Sequence, residues 1–169
     1  GELLEARRGE LVEIMAAEAG KTVDQSDPEV SEVVDFAHYY AEQALGLERL
    51  DGARYAPRRV TLVVPPWNFP LAIPGGGALA ALASGSAVVF KPARRTARTA
   101  AVLAETLWEA GVPREALQFV VLGDAALGET LVADERVDQV ILTGGYETAE
   151  LFRSFRPDLR LLAETSGKN

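Results

Sequence analysis

The chain has 169 residues, 48% of them apolar and 25% charged, with a net charge of −8 at neutral pH; that length and apolar content suffice for one soluble, globular domain with its own core. The acidic balance, with basic residues scattered or paired as in Arg7-Arg8, Arg58-Arg59 and Arg94-Arg95, argues against a nucleic-acid partner. Zero cysteines and one histidine exclude a disulfide framework, a thiolate metal site and, His38 apart, any Ser/His or Cys/His pair, and no metal is expected.

No apolar run approaches the ~20 residues of a membrane span. The N-terminal stretch from Glu2 to Glu18 reads as an acidic helix rather than a signal peptide, so a cytoplasmic setting is expected. Residues 2–19 place Leu3, Leu4, Leu11, Ile14 and Met15 at helical spacing ahead of Gly20, which predicts one amphipathic helix with a glycine at its C-terminus. Ser26 and Glu29, around Pro28, read as an S-x-x-E capping box. They would open a second helix whose Val30, Val33, Val34, Ala37, Ala41, Ala44 and Leu45 share one face until Gly46. His38, at the edge of that stripe, reads as a half-buried packing residue without a chemical role. Asp51 to Arg59, with Gly52 and Pro57, is the expected linker, dividing a helical part over 1–50 from a sheet part over 58–169.

Short apolar runs then alternate with helical stretches. Val60–Val64, Ala87–Phe90, Phe119–Leu122, Val140–Leu142 and Leu159–Ala163 predict strands; Leu71–Ala83, Thr99–Ala110, Ala125–Ala133 and Thr148–Phe155 predict helices. The alternation predicts an α/β fold, a Rossmann-like open parallel sheet with helices on both faces, preceded by two amphipathic helices.

In such a sheet, ligands bind outside the carboxyl ends of the strands. Those ends carry P-P-W-N-F-P at 65–70, Lys91-Pro92, Gly123-Asp124 with Gly128, Thr143-Gly144-Gly145, and Glu164-Thr165-Ser166-Gly167. Pro66, Trp67 and Pro70 stiffen the backbone around Asn68, which suits a side chain that must be aimed. An amide, a lysine, a carboxylate and several glycines fit a phosphate-bearing cofactor and a carbonyl. No G-x-G-x-x-G follows any strand, so the glycines alone do not specify a dinucleotide.

Taken in order, Asn68 in P-W-N-F-P, Lys91 in F-K-P-A, Thr143-Gly144 in I-L-T-G-G and Glu164 in A-E-T-S-G-K-N resemble the aldehyde dehydrogenase superfamily over essentially the whole chain. The wording of D-Q-S-D-P-E-V-S-E-V-V-D-F-A-H-Y-Y-A and L-T-G-G-Y-E-T-A-E-L-F-R-S-F-R-P-D-L further resembles the glutamate semialdehyde (1-pyrroline-5-carboxylate) dehydrogenases, including the dehydrogenase half of bifunctional proline utilisation proteins. The resemblance implies NAD(P)-dependent oxidation of L-glutamate 5-semialdehyde to L-glutamate in proline catabolism. It implies that a cysteine thiolate attacks the aldehyde, that Asn68 donates its amide N–H to the developing oxyanion, and that Glu164 activates water to release the acid. For the cofactor it implies Lys91 on the ribose hydroxyls, the helix beginning near Gly145 at the pyrophosphate, Pro65, Pro66 and Trp67 as the nicotinamide-side wall, and Val64 as a further cofactor-binding residue. Arg94, Gly123, Gly128, Thr143, Gly144, Leu151 and Thr165 complete the expected cofactor set.

Arg94 stands where many relatives carry a carboxylate for the ribose 2′-hydroxyl, so NAD and NADP are both open. Gly145 and Ala149 stand where relatives often have serine and glycine, which implies a looser or rearranged pyrophosphate grip. The family's cysteine lies a few dozen residues beyond the Glu-x-x-Gly-Lys run, at the end of which this sequence stops. The expectation is a partial cofactor-binding domain without the catalytic-cysteine domain, inactive alone. Its parent would take a small-molecule aldehyde, with a homo-oligomer and a proline dehydrogenase domain in the same polypeptide as further open partners. Two alternatives stand beside this one: a free-standing nucleotide-binding or interaction module, and a fragment of another semialdehyde or CoA-acylating dehydrogenase. Glu164 argues against the CoA-acylating version.

Overall fold

Alternate residues of the central strand serve opposite faces of a sheet: Val63 packs into one buried cluster, Leu62 and Val64 into another. That period of two is what a sheet covered on both sides requires. The computed structural model describes residues 1–47 and 49–165. Its elements run α1 (Glu2–Ala6), α2 (Arg8–Ala19), α3 (Val23–Leu47), β1 (Val60–Val64), α4 (Ala72–Ala83), β2 (Ala87–Phe90), α5 (Ala97–Glu109), β3 (Leu117–Phe119), α6 (Ala125–Ala133), β4 (Gln139–Gly144), α7 (Tyr146–Phe155) and β5 (Leu161–Thr165). The sheet has five strands in the order β3-β2-β1-β4-β5, and every pairing is parallel. Helices α1 to α5 contribute to the cluster that holds Val63, Val88, Phe90 and Leu117. Helices α6 and α7 supply Val132, Ala149 and Phe152 to the cluster that holds Leu62, Val64, Val140 and Leu142. The expected α/β fold with its leading helices is the one observed.

Five details differ from the sequence reading, and the structure gives the reason for each shift of an element. The N-terminal helix is two helices, broken at Arg7 (φ −95°, ψ 11°). Arg7 reaches α5 instead, donating to Thr106 Oγ1 at 3.2 Å and pairing with Glu109 at 2.5 Å. Its C-terminal glycine is as expected, Gly20 lying at φ 69°.

Ser26 and Glu29 do not form a capping box, because α3 begins at Val23 and both residues lie buried inside it. The start signal is one turn earlier, in T-V-D-Q, where Gln25 Oε1 accepts the N–H of Thr22 at 3.2 Å. Strand β3 is Leu117–Phe119 rather than 119–122, since its partner β2 ends at Phe90 and turns away at Lys91-Pro92. Val120 donates the last ladder bond, to Phe90 O at 2.9 Å. Strand β5 is Leu161–Thr165 rather than 159–163, with Leu159 buried in the turn before it. His38 is exposed rather than half-buried, its ring against Gly1.

Two contacts fix how the layers meet. Helices α3 and α4 approach closely because α4 presents glycines: a Cβ at Gly75 would overlap Val33 Cγ2, and one at Gly76 would lie 3.0 Å from the Phe36 ring. At the foot of the sheet, Asp138 accepts Arg59 N–H at 2.6 Å and pairs with the Arg59 guanidinium, joining the entry of β1 to that of β4.

Gly75→Val is expected to destabilise the fold by about 1–3 kcal/mol through overpacking, read as a lowered urea midpoint with the slope unchanged. Arg59 holds the Asp138 carboxyl down to about 2, against about 3.9 in an unfolded chain. A depressed carboxylate stabilises the fold above its unfolded value and loses that contribution as pH falls towards the folded one. Asp138→Asn should therefore flatten the fall in stability between about pH 4 and about pH 2, as measured by urea titrations at stepped pH.

Candidate functional site

From β1 the chain steps outward through β2 to β3, then returns to place β4 on the other side of β1. The crevice where strand order reverses lies between the carboxyl ends of β1 and β4, the position where open α/β sheets take ligands. A cleft of about 680 Å³ opens there, within the size range of small-molecule and cofactor sites.

Four strand ends and two helix starts line it. From β1 come Val64, Pro65, Pro66, Trp67, Asn68 and Phe69; from the end of β2, Lys91 and Ala93; from β4 and the start of α7, Leu142, Thr143, Gly144, Gly145 and Thr148. Ile73 enters from α4, and Glu164 and Thr165 from β5. Parallel pairing sets Glu164 directly beside Thr143 and Thr165 beside Gly144.

The loop after β1 holds its side chains out. Asn68 is exposed, flanked by Trp67 and Phe69, each nearly half-exposed. Arg95, two residues beyond Ala93, lays its guanidinium over the Trp67 ring, 4.2 Å from the centroid, a cation–π arrangement. On the other flank, Lys21 Nζ lies 4.5 Å from the centroid of the Phe69 ring and donates to Asn68 O at 2.9 Å. Beneath the loop the buried Glu29 accepts the N–H groups of Leu71 and Ala72 at 3.0 and 3.1 Å, capping the start of α4.

Lys91 is half-buried, and burial pushes its ammonium below the ordinary lysine range. Its side chain donates to Pro92 O at 3.3 Å and has no carboxylate partner among the described residues. At the far side of the cleft, α7 starts at Tyr146 with Gly145 as N-cap and no side chain capping it; Gly145 and Thr148 line the crevice, which brings the positive end of the helix dipole beside it. A half-buried cation short of acceptors and an uncapped helix start together suit a ligand that carries hydroxyls and phosphates.

Of the residues singled out in the sequence, Asn68, Glu164, Val64, Pro65, Pro66, Trp67, Lys91, Thr143, Gly144, Gly145 and Thr165 line this one cleft. Arg94, Gly123, Gly128 and Leu151 lie outside its lining. Arg94 is exposed beside it and donates to Gly123 O at 3.5 Å; Gly128 belongs to α6, and Leu151 is exposed on α7. Asp124, grouped with Gly123 in the sequence, caps α6 by accepting Leu127 N–H at 2.9 Å. Ser166 to Asn169, the remainder of the A-E-T-S-G-K-N motif, are outside the described residues.

Sequence reasoning missed Phe69, Ile73, Ala93, Leu142 and Thr148 as lining, although each adjoins a residue or helix start it had marked. It also missed Lys21, Glu29 and Arg95, for which only the placement of a charged residue near an otherwise apolar pattern could have served as a signal.

The fold and the cleft define a doubly wound α/β protein with a ligand crevice at the reversal of strand order. The sequence profile of the Aldehyde dehydrogenase family matches residues 1–169, and the chain belongs to that family. It is 40% identical over 175 residues to the bifunctional protein PutA of Klebsiella aerogenes, a match covering 99% of this chain and 13% of that protein. It is 33% identical over 181 residues to 1-pyrroline-5-carboxylate dehydrogenase 2 of Bacillus subtilis (strain 168), covering 96% of this chain and 35% of the relative. The solved structure of proline utilization A (PutA) from Corynebacterium freiburgense superposes with a TM-score of 0.94 at 44% identity, over 99% of this chain and 17% of that one. The chain thus spans a minor part of the length of the relatives it matches.

Arg95→Gln is expected to uncover the Trp67 ring. In a Trp108→Phe background, where Trp67 is the remaining tryptophan, its fluorescence should shift to longer wavelength; unchanged emission would show that Arg95 does not sit on the ring.

Proposed function

We propose that this chain is part of the cofactor-binding domain of an NAD(P)-dependent dehydrogenase that oxidises L-glutamate 5-semialdehyde to L-glutamate. The observation that carries the reading is the convergence of an amide, a half-buried lysine, an uncapped helix start and a carboxylate on one cleft. Membership of the aldehyde dehydrogenase family and similarity to a 1-pyrroline-5-carboxylate dehydrogenase and to PutA support the substrate class.

The cleft residues divide by chemistry. Lys91 binds ribose hydroxyls through its ammonium, and the first-turn N–H groups of α7 take the pyrophosphate. Trp67, Pro65 and Pro66 form an apolar wall that keeps water from the nicotinamide side. When bound, NAD(P) supplies the hydride acceptor. Asn68 donates its side-chain N–H to the carbonyl oxygen as that oxygen gains charge during attack by a thiolate. None of these 169 residues is a cysteine, so the thiolate belongs to another segment of the parent enzyme. Glu164 takes the proton from the water that releases the acid.

Asn68→Ala in the parent enzyme should lower the rate of the first hydride transfer by about 10²–10³-fold. Glu164→Gln should leave an initial burst of reduced cofactor while slowing steady-state turnover, because only hydrolysis needs the base. A Glu164→Gln enzyme with normal turnover, or one without a burst, would overturn its assignment.

Lys91 gives a pH prediction. Its pKa is depressed by burial, and acceptor groups on a ligand favour the charged form and raise it again. Cofactor affinity should therefore weaken as pH rises through the depressed value, at lower pH than an ordinary lysine would dictate. Lys91→Met should bind more weakly and lose that pH dependence, both measurable by fluorescence titration.

NADP is a second reading, favoured by the exposed Arg94 next to the β2 end, whose guanidinium suits a 2′-phosphate. The ratio of dissociation constants for NAD and NADP, in wild type and Arg94→Ala, decides between them.

A further inference from the structure

We propose that Lys21 and Glu29 are positioning residues that aim the Asn68 side chain by fixing the backbone on which it stands. This rests on the role of Asn68 proposed above. Lys21 lies just before α3 and Glu29 in its second turn, so neither belongs to the sheet whose strand ends form the cleft. Both are nonetheless placed under the P-W-N-F-P loop with little access to water: their side chains are 11% and 3% exposed.

The contacts form a chain with two attachment points. Glu29 Oε2 accepts from Leu71 N and Ala72 N, which anchors the end of the loop where it becomes α4. Glu29 Oε1 has no hydrogen-bond donor placed in line with it and is neutralised by the Lys21 ammonium 2.5 Å away. The same ammonium donates to Asn68 O at 2.9 Å and sits against Phe69. The Asn68 carbonyl lies in the peptide plane following Asn68, so holding it between Pro66 and Pro70, whose rings restrict the flanking backbone, restrains ψ at Asn68 and the direction of Cα–Cβ. The Asn68 side chain makes no hydrogen bond of its own among the described residues, so the backbone is what aims it.

Simple stability does not account for the arrangement. A serine or aspartate at position 71 would cap α4 locally; the capping carboxylate comes instead from 42 residues away and requires a buried cation beside it. Buried ion pairs bring desolvation costs that often cancel their attraction, whereas one that also holds a carbonyl at a reacting centre gives geometric control. Misplacement by about 1 Å at such a centre costs about 10²-fold in rate.

The test is a double-mutant cycle in the full-length enzyme that carries this chain, with L-glutamate 5-semialdehyde and NAD as probes. The single-turnover rate of cofactor reduction, the cofactor dissociation constant and the thermal midpoint are measured for Lys21→Met, Glu29→Gln, Asn68→Ala and Lys21→Met/Asn68→Ala. Glu29→Gln keeps an oxygen for the α4 N–H groups while removing the charge that holds Lys21, so it tests the aim even where Lys21→Met folds poorly. Lys21→Met and Glu29→Gln are each expected to lose about 10-fold or more in single-turnover rate, as misplacement of the donor dictates, with cofactor affinity unchanged. Lys21→Met should add nothing once Asn68 is alanine, and Lys21→Arg should restore part of the rate. Additive losses, or rate and cofactor affinity falling together with the thermal midpoint, would overturn the proposal and make the pair a structural one. An Asn68→Ala enzyme with unchanged rate would instead overturn the assignment of Asn68, and the positioning role with it.

Discussion

Strand β1 is hydrogen-bonded along both of its edges, to β2 on one side and to β4 on the other. Everything at the site follows from that double pairing. Because the chain runs outward to β3 and then returns across β1, the ends of β1 and β4 are left without a helix crossing over them, and the crevice forms between them. Packing makes the position rigid: Leu62 and Val63 are essentially inaccessible and point to opposite clusters. A strand held in this way delivers Pro65 to Asn68 at a fixed height and leaves little freedom for the loop to sink or rise.

The loop itself is stiffened by proline and then held by positive charge. Lys21 lies below Phe69 and Arg95 over Trp67, while Lys91 stands at the neighbouring strand end. In a chain with a net charge of −8, this gathering of cations at one edge of the sheet is a local reversal of sign. Among the described residues, Lys21 is the one of these three that forms an ion pair, and its carboxylate already serves two backbone N–H groups. Within the lining of the cleft itself the charged groups are Lys91 and Glu164. That lining joins apolar side chains such as Val64, Pro65, Pro66 and Trp67 to polar ones such as Asn68, Lys91 and Thr143, which favours a ligand with both flat apolar parts and anionic or hydroxylated ones.

Much of this was legible along the chain. The β-α alternation, the bounds of β1, β2 and α6 and the end of α4 could be read because each element is periodic within itself and punctuated by its turn residues. Where elements depend on a partner, the reading slipped. Strand β3 stops at Phe119 because β2 stops at Phe90, and no residue within Phe119 to Leu122 signals that its neighbour has turned away. Likewise S-D-P-E has the spacing of a helix cap, but the helix it would open had already begun at Val23, and the Glu29 carboxylate was left to cap another one.

The sequence by itself determined the class of fold, the order of its elements and the residue types that gather at strand ends, since those depend on hydrophobic period and local turn chemistry. It determined that Asn68 stands in a stiff loop and that Glu164 closes an aliphatic run. Only the tertiary structure decided that these residues share one cleft while Arg94, Gly123, Gly128 and Leu151 stand outside its lining, and that Lys21 and Glu29 lie beneath the loop. Strand order and helix docking bring together groups far apart in the chain, and a contact across 42 residues leaves no periodic trace in the sequence on either side of it.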